Sequence, residues 1–475
     1  MKHVHFIGIG GAGTSGLAEV LLARGVKVSG SDLAFSAKTK ELIAQGASVT
    51  EGHNAENIAE DVDTVIYSSA VKKAKNVELE EAKQRGIRTV RRADFMGELL
   101  ERSKTIAVAG THGKTTTTSM IASILIEAKS DPLVFVGASV KELDGRNARA
   151  GKGPLAVVEA DEYDRSFLAL KPYIAVMTTL EAEHLDIYRD LDDLKETFVQ
   201  FANQRSKHDT EGFAVICLDE SNLRAITPKL EKKIVTYGLS SPEAKYKARD
   251  IQQLGAKLKA TITRGGEVIG ELDLGVPGEH NLKNALAAIA VAEILAIPFE
   301  VTKKALKKFG GAERRFQVKG EVNGVLVIDD YAHHPTEIEA TLSTVKQSFP
   351  GRRVIACFQP HTFTRTRDFS EAFGQQLAKN ADKVLLLDIY PAREQPIEGV
   401  TSQLIVDASR AAGNADTELV SSLEDLPSHI GNIAREGDII LTIGAGTITD
   451  AAPLILKTLA NGSKQTTNAA PATAA

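Results

Sequence analysis

Hydrophobic and polar positions along this chain repeat in the order strand, helix, strand. Short runs rich in β-branched residues recur, and longer stretches with apolar residues at helical spacing separate them. The first run, 3–9, leads into a glycine-rich turn and a helix that ends near residue 24. Further strands are expected at 26–29 and 64–68. Such alternation predicts an α/β protein whose sheets are mostly parallel.

The middle of the chain begins with a new apolar strand, just after a predicted helix ends near residue 102. The strands expected there are 105–109, 155–159 and 174–178. After about residue 235 the runs become shorter and alternate, as in 256–263 and 267–274, which predicts added antiparallel strands. A helical stretch over 280–295 is expected to return to the central core.

A third α/β region follows Gly310-Gly311, a pair that is typical of a domain boundary. Its strands are expected at 325–328, 353–358, 383–388 and 438–443. The last residues are rich in Ala, Thr, Asn and Ser, which predicts a disordered tail. The expected segments are an N-terminal Rossmann-like domain, a central α/β domain, a C-terminal Rossmann-like domain and the tail, with bounds 1–102, 103–311, 312–460 and 461–475.

Composition narrows the class of protein. The chain has 475 residues, of which 43% are hydrophobic and 25% charged, as in soluble globular proteins. Its net charge of −5 argues against a nucleic-acid-binding protein, which would carry a basic excess. The two cysteines cannot form a disulfide framework, and the N-terminus runs directly into a strand without a signal peptide. We therefore expect a cytoplasmic protein that does not insert into a membrane.

The glycine-rich turn at 8–13 matches the pattern G-x-G-x-x-G between a strand and a helix. Glycines at these positions let the backbone turn tightly and let a diphosphate approach the N-terminus of the helix. Asp32, 19 residues after Gly13, ends the second strand, where an acidic residue can bind a ribose. This motif alone leaves three interpretations open. The turn could bind a nicotinamide or flavin dinucleotide, it could bind another nucleotide diphosphate, or it could have no ligand.

A second glycine motif, at 107–116, resembles a phosphate-binding loop. Val108 stands where the common loop has its first glycine, but the other parts are present. An apolar strand precedes the motif, Lys114 can reach the β- and γ-phosphates, and Thr115 can ligate Mg²⁺. The helix that follows directs its positive end at the phosphates. This motif predicts an enzyme that uses ATP, with a central ATPase domain.

Two acidic segments, 157–162 and 178–186, lie at the ends of two predicted strands. Ligands of open α/β sheets bind beyond the carboxyl ends of the strands, so both segments are expected beside the phosphate loop. Glu159 and His184 are therefore candidates for contacts to Mg²⁺. The alternative for each segment is a solvated acidic loop.

Histidines and arginines follow the strands of the third region. The segments are 329–335, 359–367 and 444–446, and their shared position predicts a single rim. No spacing among the three histidines matches the paired ligands of a zinc site. Basic and imidazole groups on a rim suit an anionic substrate better, although ordinary hydrogen bonding accounts equally well for any one of the histidines.

Taken together, these motifs resemble the Mur ligases, the ATP-dependent amino-acid ligases of peptidoglycan precursor synthesis. The resemblance covers residues 2–460, and its markers are 10–16, 110–115, 159–162, 278–281, 314–316, 330–335 and 358–361. It implies a three-domain enzyme with a UDP-substrate domain, a central ATPase and a C-terminal domain that receives the amino acid. The implied partners are UDP-N-acetylmuramate, ATP and L-alanine, with Mg²⁺ as cofactor, on a monomer or homodimer.

The resemblance also implies a role for individual residues. The UDP substrate contacts Gly10, Gly11, Ala12, Gly13, Thr14, Ser15, Ser68 and Ser69. ATP contacts Gly110, Thr111, His112, Gly113, Lys114, Thr115, Thr116, Asn281, Arg314 and Arg315. Thr115 and Glu159 bind one Mg²⁺, and His184 binds a second. The catalytic residues are Lys114, His184, His334, His361 and Arg365.

The chain departs from the family pattern where Asn and Asp are usual, since it has Thr179 and Glu183. Position 14, usually Met, is threonine. A family member that adds a whole tripeptide to the same nucleotide sugar is the nearest alternative, but the segments 359–361 and 388–392 favour addition of L-alanine. Alternatives from other classes are an NAD-dependent oxidoreductase built on the first glycine turn and a non-catalytic nucleotide-binding regulator.

Overall fold

The chain forms two compact units. The computed structural model describes residues 1–68, 71, 75–183, 187–206 and 211–466. The first unit contains 1–251, 259–275 and 281–312, and the second contains 252–258, 276–280 and the chain from 313 onward. None of the described helices combines the length and the apolar character that are needed to cross a bilayer.

The N-terminal part of the first unit is a five-stranded parallel sheet. Its strands are β1 (His3–Ile7), β2 (Lys27–Asp32), β3 (Ser48–Glu51), β4 (Thr64–Tyr67) and β5 (Arg88–Arg91). Its helices are α1 (Ala12–Ala23), α2 (Ala37–Ala44), α3 (Val77–Gln84) and α4 (Arg92–Leu100). The order β3-β2-β1-β4-β5 reverses direction between β1 and β4, and ligands of such sheets bind in the crevice at that reversal.

A ten-stranded sheet makes up the rest of the first unit's framework. Its strands are β6 (Lys104–Ala109), β7 (Leu133–Val140), β8 (Arg146–Ala150), β9 (Leu155–Glu159), β10 (Ile174–Met177), β11 (Phe213–Cys217), β12 (Lys233–Tyr237), β13 (Tyr246–Leu254), β14 (Lys257–Arg264) and β15 (Glu267–Leu274). They are ordered β15-β14-β13-β12-β11-β10-β6-β9-β7-β8, with a parallel run from β12 to β7.

The predicted antiparallel strands of this region are confirmed. Two residues, Gly265 and Gly266, join β14 to β15 with φ of +58° and +91°. A two-residue connection between hydrogen-bonded neighbours requires antiparallel strands, and positive φ at both positions is the conformation of a tight hairpin turn.

Five helices accompany this sheet: α5 (Lys114–Glu127), α6 (Leu191–Asn203), α7 (Ser221–Ile226), α8 (Glu279–Ile294) and α9 (Phe299–Lys308). Every residue of α5 from 115 to 125 is buried, so this helix has no solvent-exposed face along most of its length. Most of α8 is buried in the same way, which confirms the prediction that 280–295 returns to the core. A helix that is buried on all sides belongs to the interior of a large domain.

The second unit contains a six-stranded sheet in the order β16-β17-β21-β18-β19-β20. Its strands are β16 (Gln317–Val322), β17 (Val325–Asp330), β18 (Val354–Phe358), β19 (Lys383–Leu386), β20 (Thr417–Leu419) and β21 (Ile439–Ile443). Its helices are α10 (Pro335–Ser348), α11 (Phe363–Asn380), α12 (Gln403–Ala411), α13 (Leu426–Ile433) and α14 (Ala451–Thr466). All pairs are parallel except β16 with β17.

Alternate residues of these strands contribute to two separate cores. Leu326 and Ile328 pack on one face of the sheet with side chains from α10, α11 and α12. Val325 and Val327 pack on the other face with side chains from α13 and α14. Burial on both faces explains why β17, β18 and β21 are continuous apolar runs in the sequence.

The α/β fold class is confirmed, whereas the domain bounds stay predictions. The predicted boundary at 102/103 falls between the first two sheets, within the first unit, and the boundary at 311/312 lies next to the junction of the two units at 312/313. Helix α14 continues to Thr466, six residues into the segment predicted to be a disordered tail. The remainder of that segment lies outside the described residues.

The packing of α11 on α12 gives a test of the second unit. An added Cβ at Gly374 would lie 2.5 Å from the Cβ of Ala408 and 2.6 Å from the backbone nitrogen of Ser409. Gly374→Ala should therefore lower the free energy of unfolding. Overpacking costs about 1–3 kcal/mol, of which the gain in helix propensity offsets about 1 kcal/mol. Urea unfolding followed by circular dichroism measures the change.

The control is Gln375→Ala, which changes the neighbouring exposed position of the same helix and should leave the unfolding midpoint nearly unchanged. Equal stability of the two variants would show that the contact between α11 and α12 is not close.

Candidate functional site

The loop between β6 and α5 requires glycine at two positions. Gly110 has φ of +146° and Gly113, which caps α5, has φ of +81°. Side chains are also excluded by space, because a Cβ at Gly110 would lie 2.1 Å from Oγ1 of Thr178. The predicted phosphate loop is therefore a tight connection at the carboxyl end of a buried strand, with α5 starting directly after it.

Lys114, the first residue of α5, forms a buried ion pair. Its Nζ donates hydrogen bonds to both carboxylate oxygens of Glu162, at 2.8 and 2.9 Å, and to the carbonyl oxygen of Gly110 at 2.6 Å. The Glu162 side chain is fully buried. Burial alone would lower the pKa of Lys114, but the charges of Glu162 and Asp161 outweigh it, and the pKa lies above its ordinary value. Lys114 therefore carries a positive charge at neutral pH, beside the loop.

Thr115 and Glu159 place two oxygen atoms side by side. Oγ1 of Thr115 donates a hydrogen bond to Oε1 of Glu159 at 3.0 Å, and the backbone nitrogen of Gly137 donates to Oε2 at 2.7 Å. Burial raises the pKa of Glu159, although Lys114 acts in the opposite direction. A hydroxyl and a carboxylate whose charge is incompletely compensated suit a Mg²⁺ ion, which prefers oxygen ligands.

Two threonines after β10 hold the backbone of the loop. Oγ1 of Thr178 donates to the carbonyl oxygen of His112 at 2.5 Å. Oγ1 of Thr179 accepts a hydrogen bond from the backbone nitrogen of His112 at 2.7 Å and lies 2.9 Å from Oγ1 of Thr111. Thr179, where the family usually has asparagine, therefore supports the phosphate loop. The predicted metal ligand His184 lies outside the described residues.

A strained turn follows β9, and hydrogen bonds to side chains of α6 stabilise it. Asp164 and Arg165 have φ of +54° and +53°, which is unusual for residues other than glycine. Arg165 donates to Asp193 at 2.6 Å and to Thr197 at 2.9 Å. The hydroxyl of the buried Tyr188 donates to the carbonyl oxygen of Glu162 at 2.6 Å, so Glu162 is fixed through both its side chain and its backbone.

Helix α8 contributes a second asparagine that the sequence reasoning missed. A Cβ at Gly113 would lie 2.7 Å from Oδ1 of Asn284, so this amide lies directly against the loop. Asn281, the predicted adenine contact, lies one helical turn earlier, and both asparagines are buried. The spacing i, i+3 places the two on one face of the helix and was the signal that could have identified Asn284.

The N-terminal glycine turn is shaped by the end of β2. The backbone nitrogens of Gly8 and Ile9 donate to the carbonyl oxygen of Ser31, at 2.8 and 3.0 Å. The Asp32 carboxylate accepts hydrogen bonds from the backbone nitrogens of Gly10 and Leu33, both at 2.8 Å. Asp32, which the dinucleotide interpretation assigned to a ribose, therefore binds the turn itself.

The remaining residues predicted for the UDP substrate lie at the same edge of the sheet. Gly11 caps α1, and Thr14 and Ser15 are buried within the first turns of that helix. Ser68 follows β4, the neighbour of β1, and is partly buried. The side chain of Ala12 and the whole of Ser69 lie outside the part of the chain that the structure describes.

The second unit has its own polar rim at the ends of β17, β18 and β21. Asp330 is buried and accepts hydrogen bonds from the backbone nitrogens of Phe316 and Ala332, at 2.7 and 2.8 Å. Burial raises its pKa to about 6. Because it accepts two backbone hydrogen bonds, Asp330 orders the loop that leads to His333 and His334.

Two of the predicted rim residues are in direct contact. Nη1 of Arg365 lies 3.2 Å from Nδ1 of His361. Burial, with the neighbouring charges of His333 and Arg365, lowers the pKa of His361 to about 4, so its ring is neutral at neutral pH. The rings of His333 and His361 are 6.0 Å apart, whereas His334 packs against Phe369. His333, which the sequence reasoning did not select, is thus the histidine beside His361.

Arg314 and Arg315, the predicted nucleotide contacts, both pack on the ring of Tyr331, at 4.9 and 5.1 Å from its centroid. Arg314 also donates to the carbonyl oxygen of Gly444 and lies 3.5 Å from the buried Asp329. The two arginines therefore tie the segment before β16 to this rim. Their contact with a nucleotide stays a prediction.

Comparison with known proteins assigns the three segments to one family. The Mur ligase family, catalytic domain matches residues 3–104, the Mur ligase middle domain matches 108–292, and the Mur ligase, glutamate ligase domain matches 314–446. A UDP-N-acetylmuramate–L-alanine ligase of Salinibacter ruber is 45% identical over 461 residues, covering 97% of this chain and 96% of the relative.

Solved structures agree with this assignment. The UDP-N-acetylmuramate-alanine ligase of Thermotoga maritima is 28% identical, with a TM-score of 0.82, and the match covers 98% of this chain and all of that one. A murein peptide ligase of Psychrobacter arcticus is 26% identical with a TM-score of 0.70, over 97% of this chain and 99% of that one. The phosphate loop, the acidic strand ends and the whole-length similarity agree: this chain belongs to the Mur ligase family.

Proposed function

We propose that this chain joins L-alanine to the lactyl carboxylate of UDP-N-acetylmuramate and hydrolyses ATP to ADP and phosphate in doing so. The similarity to ligases of that name extends over nearly the full length of both chains. The observation that carries the chemistry is the charged Lys114 next to the Thr115–Glu159 oxygen pair, at the start of a buried helix. These are the groups that phosphoryl transfer needs.

The reaction has two steps. A carboxylate is a poor electrophile, so an oxygen of the lactyl carboxylate first attacks the γ-phosphorus of ATP, and ADP leaves with the bridging oxygen. The amine of L-alanine then attacks the carbonyl carbon of the acyl phosphate. The C–O bond breaks, inorganic phosphate leaves with its electron pair, and the nitrogen loses a proton as the amide forms.

Residues of the phosphate loop lower the first barrier. The ammonium of Lys114 stabilises the negative charge on the phosphoryl oxygens, and it is already fixed in place by Glu162. Thr115 and Glu159 would hold a Mg²⁺ ion, with His184 for a second, and bound Mg²⁺ would neutralise charge on the ATP phosphates. Asn281 would contact the adenine.

The uridine diphosphate and the amino acid would bind at the two Rossmann-like sheets. The glycine turn at 10–15, with Ser68 and Ser69, would hold the uridine diphosphate. His334, His361 and Arg365 would receive the amino acid or the muramate carboxylate, since a guanidinium binds a carboxylate through two parallel hydrogen bonds. We also propose that the enzyme acts in the cytoplasm, as a monomer or homodimer.

The two alternatives receive less support. The alternative within the family is the tripeptide-adding enzyme. The murein peptide ligase matches this chain with a TM-score of 0.70, which is lower than the 0.82 of the UDP-N-acetylmuramate-alanine ligase. An oxidoreductase on the first glycine turn would leave the loop at 110–115 and the whole-length similarity to ligases unexplained.

A phosphate-release assay across amino acids and peptides tests the function. With UDP-N-acetylmuramate and ATP present, L-alanine should give rapid release of phosphate, and omission of either co-substrate should abolish it. Glycine and L-serine should give slower turnover, because one methyl or hydroxyl group changes binding by only about 1–3 kcal/mol. Turnover with a tripeptide and none with alanine would refute the assignment.

The role of Lys114 is tested by replacement with alanine. Lys114→Ala should lower kcat by about 100-fold to 1000-fold or more, because a charged group aimed at the transferring phosphoryl is lost. Lys152→Ala, which removes an exposed lysine outside the proposed site, is the matched control and should be as active as the wild type. An active Lys114→Ala enzyme would contradict the phosphate-loop mechanism.

The oxygen pair is tested by the effect of Mg²⁺ on ATP binding. Isothermal titration of the wild-type enzyme should show tighter ATP binding when Mg²⁺ is present. Glu159→Gln should weaken Mg²⁺ binding at this site, raising the Mg²⁺ concentration needed for half of the effect by about tenfold or more. If the variant responds to Mg²⁺ as the wild type does, Glu159 is not a ligand.

A further inference from the structure

Arg92, the first residue of α4, lies on the N-terminal glycine turn. An ideal Cβ at Gly13 would be 2.6 Å from Nη1 of Arg92, 3.0 Å from Cζ and 3.3 Å from Nε. The guanidinium group therefore covers Gly13 and occupies the space that any side chain there would need. Strand β5, which ends at Arg91, places α4 at the same edge of the sheet as the turn.

This contact explains why residue 13 is glycine. Gly13 is a residue of α1 and is not among the glycines with positive φ, so its backbone conformation is open to any residue. Glycine inside a helix costs about 1 kcal/mol relative to alanine. The third glycine of the G-x-G-x-x-G pattern thus leaves room for the Arg92 guanidinium, which would have to move if residue 13 carried a side chain.

Arg92 differs from its neighbour Arg91 in that no carboxylate of the described residues forms an ion pair with it. Its neighbour Arg91 forms two hydrogen bonds with Asp94, at 2.7 and 2.9 Å. Arg92 is more buried than Arg91, yet among the described residues it has no ion pair and no side-chain hydrogen bond. Helix α1 has no acidic residue in its first turn. A cation therefore lies at the positive end of a helix, an arrangement that is unfavourable until an anion binds.

A cavity of about 40 Å³ beside Arg92 extends toward the phosphate loop. Its lining includes Glu159 and Asp161, the acidic residues at the end of β9. Arg92 thus lies between the glycine turn and the residues around Lys114 and Thr115. A substrate with one anionic group on the turn and another at the phosphate loop would pass this side chain.

We propose that Arg92 binds the diphosphate of the UDP-linked substrate, together with the backbone of the glycine turn. The guanidinium lies on the turn itself, and the lactyl carboxylate has to reach Lys114, so the diphosphate is the anion that Arg92 meets. The planar fork of arginine forms paired hydrogen bonds with phosphate oxygens. This inference rests on the proposed function for the identity of the substrate.

Binding of UDP and of uridine to the full-length chain tests the proposal. Isothermal titration should show that the wild type binds UDP much more tightly than uridine. Arg92→Ala should weaken UDP binding by about 10-fold to 100-fold, the effect of losing hydrogen bonds to a charged group, and leave uridine and ATP binding nearly unchanged. Arg91→Ala is the matched control, with an expected change in UDP binding below about twofold, since surface ion pairs contribute little.

Gly13→Ala gives a second, independent measurement. In the wild type the added methyl group displaces the guanidinium, so UDP binding should weaken as in Arg92→Ala. In the Arg92→Ala background the space is free, and the same substitution should have little further effect. Such non-additivity is expected only of residues in direct contact that serve one function.

Either of two results would overturn the proposal: wild-type UDP affinity in Arg92→Ala, or equal losses for UDP and uridine. Should Arg92→Ala fail to bind ATP, as an unfolded chain would, Arg92→Lys replaces it. Lysine keeps the charge but not the fork, so the preference for UDP over uridine should fall, and an unchanged preference would refute the proposal. Loss of UDP binding without any ligase activity in the wild type would refute only the proposed function.

Discussion

The ion pair between Lys114 and Glu162 is the interaction on which the rest of the site depends. A fully buried carboxylate is unfavourable unless a partner of opposite charge compensates it, and loss of one partner is far costlier than the pair is worth. Glu162 therefore keeps Lys114 charged and close to Gly110. Burial raises the pKa of the Glu162 carboxyl, and the charge of Lys114 acts against that rise. The hydroxyl of Tyr188 donates a hydrogen bond to the backbone carbonyl of Glu162. The cation that we propose to bind the phosphates is thus held in place by the protein alone.

Sheet topology brings the chemical groups to this pair. Strand β6 lies between β9 and β10, and all three run parallel. The ends of these three strands therefore present the phosphate loop, the acidic residues 159–162 and the threonines 178–179 at one edge. Burial of α5 along most of its length fixes the start of that helix relative to the sheet. Few degrees of freedom remain for the groups that we propose to bind phosphate, and such preorganisation is what electrostatic catalysis requires.

The sequence predicted the parts of this site that follow from strand order. Lys114, Thr115 and Glu159 come directly after apolar runs, and neighbouring parallel strands bring their ends together. Arg165 and Asn284 were missed, because their positions depend on how a turn and a helix pack against the loop. Such contacts join segments that are distant in the chain and leave no periodic pattern. The hydrogen bonds of the Asp32 carboxylate with the backbone nitrogens of Gly10 and Leu33 were not predicted either, because they too depend on how the loop folds.

In the rim of the second unit, too, the features that follow from strand order were predicted and those that depend on loop conformation were not. The segments after β17, β18 and β21 were correctly expected to lie together, since they follow three buried strands of one sheet. Which histidine lies beside His361 was not predictable, because His333 and His334 are adjacent in sequence and the loop conformation decides between them. Asp330 accepts a hydrogen bond from the backbone nitrogen of Ala332, directly before these two histidines.

The left-handed turn at Asp164 and Arg165 limits which substitutions could stabilise this part of the protein. Residues in that conformation cost about 1–3 kcal/mol each, and here the cost is met by contacts with Asp193 and Thr197. Glycine at either position would relieve the strain, but at Arg165 it would also remove the contacts that order the segment carrying Glu162. A gain in stability from glycine at position 165 would therefore come with the loss of contacts beside Glu162, the ion-pair partner of Lys114.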